Sequence, residues 1–103
     1  MVIIGRKIIT EFRNRHSHSR KSLLAWEDIV RQTDYHSFSE LRLTFPGADY
    51  VCHRYTIFDI GGNKYRLVTE VDYSAKVVNV KRIWTHAEYS MKKNEAAVRE
   101  GKL

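Results

Sequence analysis

The fold is decided by the stretch Tyr55-Thr56-Ile57-Phe58-Asp59-Ile60-Gly61-Gly62-Asn63-Lys64-Tyr65-Arg66-Leu67-Val68. Residues 55–60 and 64–73 flank the glycines and are rich in β-branched and aromatic side chains, which favour strands. The Gly61-Gly62-Asn63 segment tolerates positive φ and fits a tight hairpin turn. Residues 76–84 have a similar composition and follow a less distinct turn at 72–75. The sequence therefore predicts a meander of three antiparallel strands.

The residues before the meander predict one strand and two helices. Residues 2–4 are a β-branched run before a glycine, which indicates a short buried strand. In residues 6–16 apolar side chains recur at helical spacing, and a second helix follows the polar turn at 17–19. This second helix carries Glu27 and Arg31 four residues apart, which is typical of a solvent-exposed ion pair.

Two capping boxes predict further short helices, because a serine or threonine stands three positions before a glutamate in each. Ser37 and Glu40 predict a helical turn before the meander. Thr85 and Glu88 predict a short helix after the last strand. Residues 92–103 are charged and lack a sustained apolar stripe, so we expect a frayed tail or one that a partner orders.

Together these elements predict an α+β domain. Its N-terminal strand joins the meander sheet, two helices pack on one face, and a short helix closes the chain. With 103 residues, of which 43% are hydrophobic, the chain can bury one core but has little room for a second. We expect one domain at residues 1–91 and a charged, flexible tail at 92–103.

Charge and cysteine content limit the class of protein. A net charge of +6 and a pI near 9.6 suit binding to phosphate backbones or acidic proteins, but they also fit a merely basic protein. The single cysteine, Cys52, cannot form an intramolecular disulfide, which indicates a reducing compartment. Residues 1–5 are apolar but are followed at once by Arg6 and Lys7, so they fit neither a signal peptide nor a membrane span. We therefore expect a cytoplasmic protein without a membrane partner.

Four separated motifs stand in an order and spacing that resemble the HigB family of toxins. They are Leu24-Ala25-Trp26, Leu41-Arg42-Leu43-Thr44-Phe45-Pro46-Gly47-Ala48-Asp49-Tyr50, Phe58-Asp59-Ile60-Gly61-Gly62-Asn63-Lys64-Tyr65-Arg66-Leu67 and Thr85-His86-Ala87-Glu88-Tyr89. The resemblance runs from about the first helix to Tyr89, and only the residues after Tyr89 fall outside it.

The resemblance implies a small RelE-like fold that cleaves messenger RNA on the translating ribosome without a metal or other cofactor. It also implies a HigA-type helix-turn-helix antitoxin as partner, in a hetero-oligomeric complex, with the free toxin a monomer. The implied reaction is attack of a ribose 2′-hydroxyl on the neighbouring phosphate, which leaves a cyclic phosphate and a free 5′-hydroxyl. Such a reaction needs a base, an acid and positive charge.

The candidates for this chemistry are Lys64, Arg66, Arg82, His86 and Tyr89. Lys64 and Arg66 lie two apart on one predicted strand, so both can offer a cation from one face. Arg82 shares the alternation of positions 78, 80 and 84, where it either pairs with an acidic group or opens into a cleft. His86 and Tyr89 share a helical face and suit proton transfer, although capping or packing is the alternative role for each. The sequence does not assign base and acid among them.

A second set of basic residues is a candidate for binding ribosomal RNA phosphates or the ribosome. Most of them lie in the first predicted helix and the turn after it, and one lies on the last strand. The alternative is a solvated helix face, since basic residues are common on exposed helices. The set comprises Arg6, Lys7, Arg13, Arg15, Arg20, Lys21 and Lys81.

The other histidines and the cysteine predict no site. His16 and His18 resemble half of a metal site but have no third ligand, which favours a solvent-facing turn. His36 and His53 have no evident partner, and Cys52 fits a small half-buried hydrophobe better than a nucleophile.

Two other functions stay open from the sequence alone. The related ParE-type toxins share the fold but inhibit DNA gyrase by binding, without catalysis. A basic RNA-binding module would likewise need no catalytic residue. The presence of His86 and Tyr89 near strand arginines favours cleavage over both.

Overall fold

The computed structural model describes residues 1–103 and confirms the predicted α+β class. Each boundary of the three meander strands lies within one residue of its predicted position. The elements in chain order are β1 Val2–Ile4, α1 Arg6–Arg15, a 3-10 turn Ser17–Ser19, α2 Arg20–Gln32, α3 Phe38–Thr44, β2 Asp49–Val51, β3 Tyr55–Ile60, β4 Tyr65–Asp72, β5 Val77–Thr85, α4 His86–Tyr89 and α5 Lys92–Arg99.

The strands form one sheet in the order β1-β5-β4-β3-β2. β1 runs parallel to β5, and every other neighbouring pair is antiparallel, so the N-terminal strand joins the meander as predicted. Gly5 makes the turn into α1 at φ 89°, where an added Cβ would lie 2.8 Å from the carbonyl oxygen of Val80. Only glycine fits so close an approach. The short strand β2 was not predicted.

The main core lies between the sheet and helices α1 and α2, on the side that we call the helix face. Phe58, Leu67 and Val80 point to this side from three neighbouring strands and are at most 3% exposed. Burial of each such side chain contributes roughly 1.5–3 kcal/mol, which fixes the register of the meander. They pack with helix side chains in one cluster that includes Ile9, Phe12, Leu23, Trp26 and Val30.

A β-bulge in β5 changes the side to which its last residues point. Val68 pairs with Arg82 but Thr69 pairs with Val80, so Lys81 is an extra residue between them. Val80 and Ile83 therefore both point to the helix face, and Arg82 points to the opposite side. The prediction that Arg82 shares the alternation of positions 78 and 80 was wrong, because simple alternation does not allow for an inserted residue.

Helix α5 packs on the opposite side of the sheet, which we call the α5 face. Val98 is fully buried there in a second cluster with Tyr55, Ile57 and Val68. The main chain after the helix is also held, because the Leu103 N–H donates to the Tyr55 hydroxyl at 2.8 Å. The expectation of a frayed tail from residue 92 was therefore wrong. The short apolar run Ala96-Ala97-Val98 is enough to anchor one face of this helix.

Glu27 is buried in the structure, which corrects the predicted exposed pair with Arg31. Its side chain is 2% exposed and lies between α1 and α2, where it contacts Arg6 at 3.4 Å and Arg13 at 3.7 Å. Glu27 follows Leu23 by four positions, so it belongs to the apolar stripe of α2 and not to its solvated side. Arg31 is exposed.

Both predicted capping boxes begin a helix. The Glu40 N–H donates to the Ser37 hydroxyl at 3.1 Å at the start of α3. At α4 both halves of the box are present, since the Glu88 N–H donates to Thr85 and the Thr85 N–H donates to Glu88. No helix is long and apolar enough to cross a lipid bilayer.

Candidate functional site

Arg66 occupies the centre of a polar cluster on the α5 face. It lies on β4, directly opposite Asp59 of β3 and Trp84 of β5. The guanidinium Nε lies 3.2 Å from the Asp59 carboxylate. Nη2 contacts the side chains of Asn63 at 2.5 Å and His86 at 3.1 Å. The Arg66 side chain is only 12% exposed, so these contacts give it one defined orientation.

His86 is the first residue of α4 and is placed by the hairpin turn. Its backbone N–H donates to the carbonyl oxygen of Lys64 at 2.8 Å, and Thr85 caps the helix beside it. A guanidinium has only donors, so in its contact with Arg66 the Nδ1 of His86 must accept. In the neutral ring Nε2 then carries the proton. The imidazole is exposed and presents an N–H donor to solvent.

Tyr89, at the end of α4, also lies close to Arg66. Its ring centroid is 5.9 Å from the guanidinium carbon of Arg66 and 6.3 Å from the ring centroid of Trp84. Burial raises the pKa of the Tyr89 hydroxyl above its ordinary value, and the nearby carboxylates of Asp49 and Glu95 raise it further. The hydroxyl therefore stays protonated at neutral pH and can donate a hydrogen bond or a proton.

The side chains of Lys64 and Arg82 make no hydrogen bond to this cluster. Lys64 belongs to the hairpin turn and not to β4, so the prediction that it shares a strand with Arg66 was wrong; its side chain is exposed. Arg82 is exposed on the α5 face and donates to the carbonyl oxygen of Lys81 at 2.8 Å. Neither makes an ion pair, so both cations are available to a phosphate.

The basic residues predicted to bind ribosomal RNA fall into two groups. Ion pairs engage Arg6 and Arg13 with Glu27, Lys7 with Glu11 at 3.9 Å, and Lys81 with Glu70 at 3.5 Å. The other three side chains are exposed and have no acidic partner; they are Arg15, Arg20 and Lys21. They lie together around the turn between α1 and α2.

Sequence reasoning missed Asp59 and Asn63, which contact Arg66. A signal for Asp59 was present, because a four-residue turn at 61–64 pairs residue 60 with 65 and therefore 59 with 66. His16, predicted to face solvent, is half-buried instead and stacks on Phe12 with 4.3 Å between ring centroids. No three His, Cys, Asp or Glu side chains lie close enough together to hold a metal ion.

The largest cavity lies away from this cluster. It has a volume of about 690 Å³ and is bounded by Ile4, Tyr50 and the turn at residues 72–75. None of the five predicted catalytic residues lines it. The candidate site is therefore an open surface around Arg66, which suits a polymeric substrate more than an enclosed small molecule.

A comparison with protein-family models gives a match to the HigB toxin, described as the RelE-like toxic component of a toxin-antitoxin system, over residues 19–92. The chain belongs to the HigB toxin family. The match includes α2, all of the meander and the cluster around Arg66. It ends at the first residue of α5, so this helix lies almost wholly outside it.

Curated relatives resemble the chain over most of its length. The mRNA interferase HigB of Escherichia coli O6:H1 strain CFT073 is 29% identical over 91 residues, which are 86% of this chain and 88% of that protein. The mRNA interferase toxin HigB of Escherichia coli K12 is 24% identical over 92 residues, with the same shares covered. The mRNA interferase HigB of Shigella flexneri has the same identity and coverage.

Proposed function

We propose that this HigB-family toxin is an endoribonuclease that cleaves messenger RNA on the translating ribosome and so inhibits translation in the cytoplasm. The family match and the names of the relatives support the activity. The observation that carries the proposal is the contact of Arg66 with His86, beside Tyr89, on the α5 face of the sheet. Cationic and proton-donating groups stand there side by side.

The proposed reaction is attack of a ribose 2′-oxygen on the adjacent phosphorus. The 2′-hydroxyl loses its proton, the bond to the 5′-oxygen breaks, and that oxygen leaves with a proton. Charge grows on the phosphate oxygens in the transition state, so preorganised cations lower the barrier. Arg66 supplies this charge from a fixed position, and Arg82 and Lys64 supply it from the exposed rim.

His86 and Tyr89 handle the protons in this proposal. The Tyr89 hydroxyl is protonated and suits the acid that meets the leaving 5′-oxygen. In the resting contact His86 offers only its Nε2 proton, because Nδ1 faces Arg66. When a bound phosphate takes the Nη2 donor of Arg66, the guanidinium stays beside Asp59 through Nε, and Nδ1 of His86 becomes free to take up a proton. Binding of RNA would thereby prepare His86 to act as base.

The proposed partners follow from membership of a toxin-antitoxin family and from the exposed cations. We expect a HigA-type helix-turn-helix antitoxin that forms a hetero-oligomer with the toxin, and a free toxin that is monomeric. Ribosomal RNA would contact the exposed cations Arg15, Arg20 and Lys21 through charge that is independent of base sequence. No step in the proposed reaction requires a cofactor.

The experiment is a translating bacterial extract with a defined message, in which primer extension maps the cuts. Wild-type protein should cut within the coding sequence. Arg66→Ala and His86→Ala should each reduce cutting by about 100-fold, the usual loss when a preorganised transition-state group is removed. Arg31→Ala removes an exposed cation of α2 outside the site and serves as the control.

Two results would contradict the proposal. An uncut message in the presence of folded wild-type protein would contradict the proposed nuclease activity itself. DNA breaks in cells that express the protein, with intact messages, would instead indicate inhibition of gyrase.

A further inference from the structure

We propose that Asp59 is a positioning residue that holds Arg66 against His86, and that Gly47 is small so that the Asp59 carboxylate has room to do this. The inference rests on the proposed nuclease function. It joins two of the four sequence motifs, since Gly47 belongs to the loop after α3 and Asp59 belongs to β3.

The sheet register places Asp59 where it can hold only one side of the guanidinium. Asp59 and Arg66 are direct neighbours across β3 and β4, so both side chains point to the α5 face. The Asp59 Oδ1 lies 3.2 Å from Nε of Arg66, and the Asp59 side chain is 35% exposed. A charge-assisted contact at Nε fixes the edge of the guanidinium that the hairpin turn does not reach.

The remaining contacts of Arg66 cannot replace this one. Nη1 donates to the carbonyl oxygens of Asn63 and Tyr65 at 3.3 Å each, and Nη2 reaches the Asn63 side chain and His86. Both partners of Nη1, and one of the two partners of Nη2, belong to Asn63 in the turn or to Tyr65, the first residue of β4. Without Asp59 the guanidinium would be tethered at this end alone and would turn away from His86.

Gly47 lies against the free oxygen of Asp59. An added Cβ at Gly47 would be 3.0 Å from Asp59 Oδ2 and 3.8 Å from its Cγ, and apart from the chain neighbours of Gly47 no other residue has an atom within 4 Å. Gly47 does not have a positive φ, so alanine is allowed by the backbone. The substitution Gly47→Ala therefore tests the position of the carboxylate with little other disturbance.

The first test measures the contact itself, without reference to catalysis. In ¹⁵N NMR spectra of the full-length protein, the Nε–H signal of Arg66 and the ring nitrogen shifts of His86 report both ends of the arrangement. Asp59→Asn keeps the shape of the side chain and removes its charge. We expect it to move both sets of signals, whereas Asp28→Asn, the same chemical change at an exposed position of α2, should move neither.

The second test measures single-turnover cleavage of ribosome-bound message. We expect Asp59→Asn to lower the cleavage rate at saturation by about 10-fold to 100-fold, as misplacement of a catalytic group does, without a change in the ribosome concentration that gives half-saturation. Gly47→Ala should lower the rate less. In an Asp59→Ala background, Gly47→Ala should have no further effect, because its only close neighbour is gone.

The outcomes separate this inference from the proposed function. If wild-type protein cuts and Asp59→Asn cuts equally well with unmoved NMR signals, the positioning role is overturned and the nuclease stands. If the thermal unfolding midpoint and the rate fall together in Asp59→Asn while Gly47→Ala has equal effects in both backgrounds, a general structural role replaces it. If wild-type protein does not cut, the nuclease proposal fails, and a catalytic positioning role for Asp59 fails with it.

Discussion

Arg66 illustrates how one side chain can connect three parts of the chain. Its N–H donors are directed at β3, at the hairpin turn and at α4, through Asp59, Asn63 and His86. A lysine has one rotating ammonium and could not hold these directions at once, although it has the same charge. The identity of residue 66 therefore determines the geometry of the cluster as well as its electrostatics.

The raised pKa of Tyr89, also a property of one residue, predicts how the unfolding free energy depends on pH. Burial raises its pKa above the ordinary value of 10.0, and the Asp49 carboxylate adds to the rise. The pKa of Tyr89 is higher in the folded state than in the unfolded state. The contribution of Tyr89 to the unfolding free energy is therefore complete below about pH 10 and is lost as pH rises through the folded pKa. Tyr89→Phe should therefore flatten the fall in unfolding free energy above pH 10, as measured by urea denaturation at a series of pH values.

Tyr73 provides a second variant for this measurement. Burial raises its pKa as well, so Tyr73→Phe should flatten the same alkaline fall. A pH dependence that is identical in wild type and both variants would show that the two hydroxyls do not change their ionisation on folding.

Glu27 leads to a prediction about stability alone. Its carboxylate is 2% exposed and contacts Arg6 and Arg13, whose side chains are 56% and 20% exposed. Glu27→Gln removes the charge but leaves a buried polar group, which should lower the unfolding free energy by about 1–3 kcal/mol. Arg31→Gln, on the solvated side of the same helix, should leave it unchanged within about 0.5 kcal/mol. Equal values for the two variants would contradict a structural role for Glu27.

At the scale of elements, α5 supplies a core of its own to the α5 face. Val98 is fully buried against Tyr55, Ile57 and Val68, and Tyr89 packs at the edge of this cluster. The helix thus packs on the same face of the sheet as the candidate site, although it lies almost wholly outside the residues that the family model matches.

Truncation of one side chain tests this role. Val98→Ala should lower the unfolding free energy by about 2 kcal/mol, because buried apolar area is lost and a small cavity remains. Lys93→Ala on the exposed side of α5 should change it by less than about 0.5 kcal/mol. Chemical denaturation measures both. A frayed helix would make the two substitutions equally harmless.

Much of the architecture could be predicted because the signals are local. Alternating apolar residues and a glycine turn define the hairpin at 55–73, and capping boxes define the starts of α3 and α4. The face of Arg82 could not be predicted, because the bulge at Lys81 depends on how β5 pairs with β4. Helix α5 was missed for a related reason, since one apolar residue, Val98, anchors it to strands that are distant in sequence.

The candidate site, too, was predicted only in part from the sequence. His86 and Tyr89 follow from one capping box, and the structure brings both to Arg66. The basic residues around α1 could not be sorted, because their ion pairs with Glu27 depend on how two helices pack.

At the scale of the whole molecule, the net charge is +6, but the basic side chains are not equally free to bind phosphates. Arg15, Arg20 and Lys21 have no acidic partner, whereas ion pairs partly neutralise Arg6, Lys7 and Arg13 of α1. The unpaired group lies around the turn between α1 and α2. A surface that binds phosphates should lie there more than along the rest of α1.

Salt dependence of ribosome binding tests this distribution. Replacing Arg15, Arg20 and Lys21 with alanine should weaken binding and make the slope of log K against log salt shallower by about 2, as expected when about three phosphate contacts are lost. Sedimentation with bacterial ribosomes at several salt concentrations measures the slope. The control replaces Arg31, Lys92 and Lys93, which removes the same charge elsewhere. Equal slopes in the two triple variants would place the contact surface outside the turn.

The unpaired residue in β5 makes the place of a deletion in that strand as consequential as any change in its composition. Loss of the single codon for Lys81 would restore a regular ladder in which Val80 and Arg82 become neighbours and keep their opposite faces. Loss of Ile83 with the bulge retained would instead bring Trp84 towards α1 and α2. A mutant library directed at this surface can therefore omit position 81 but has to keep the number of residues after it.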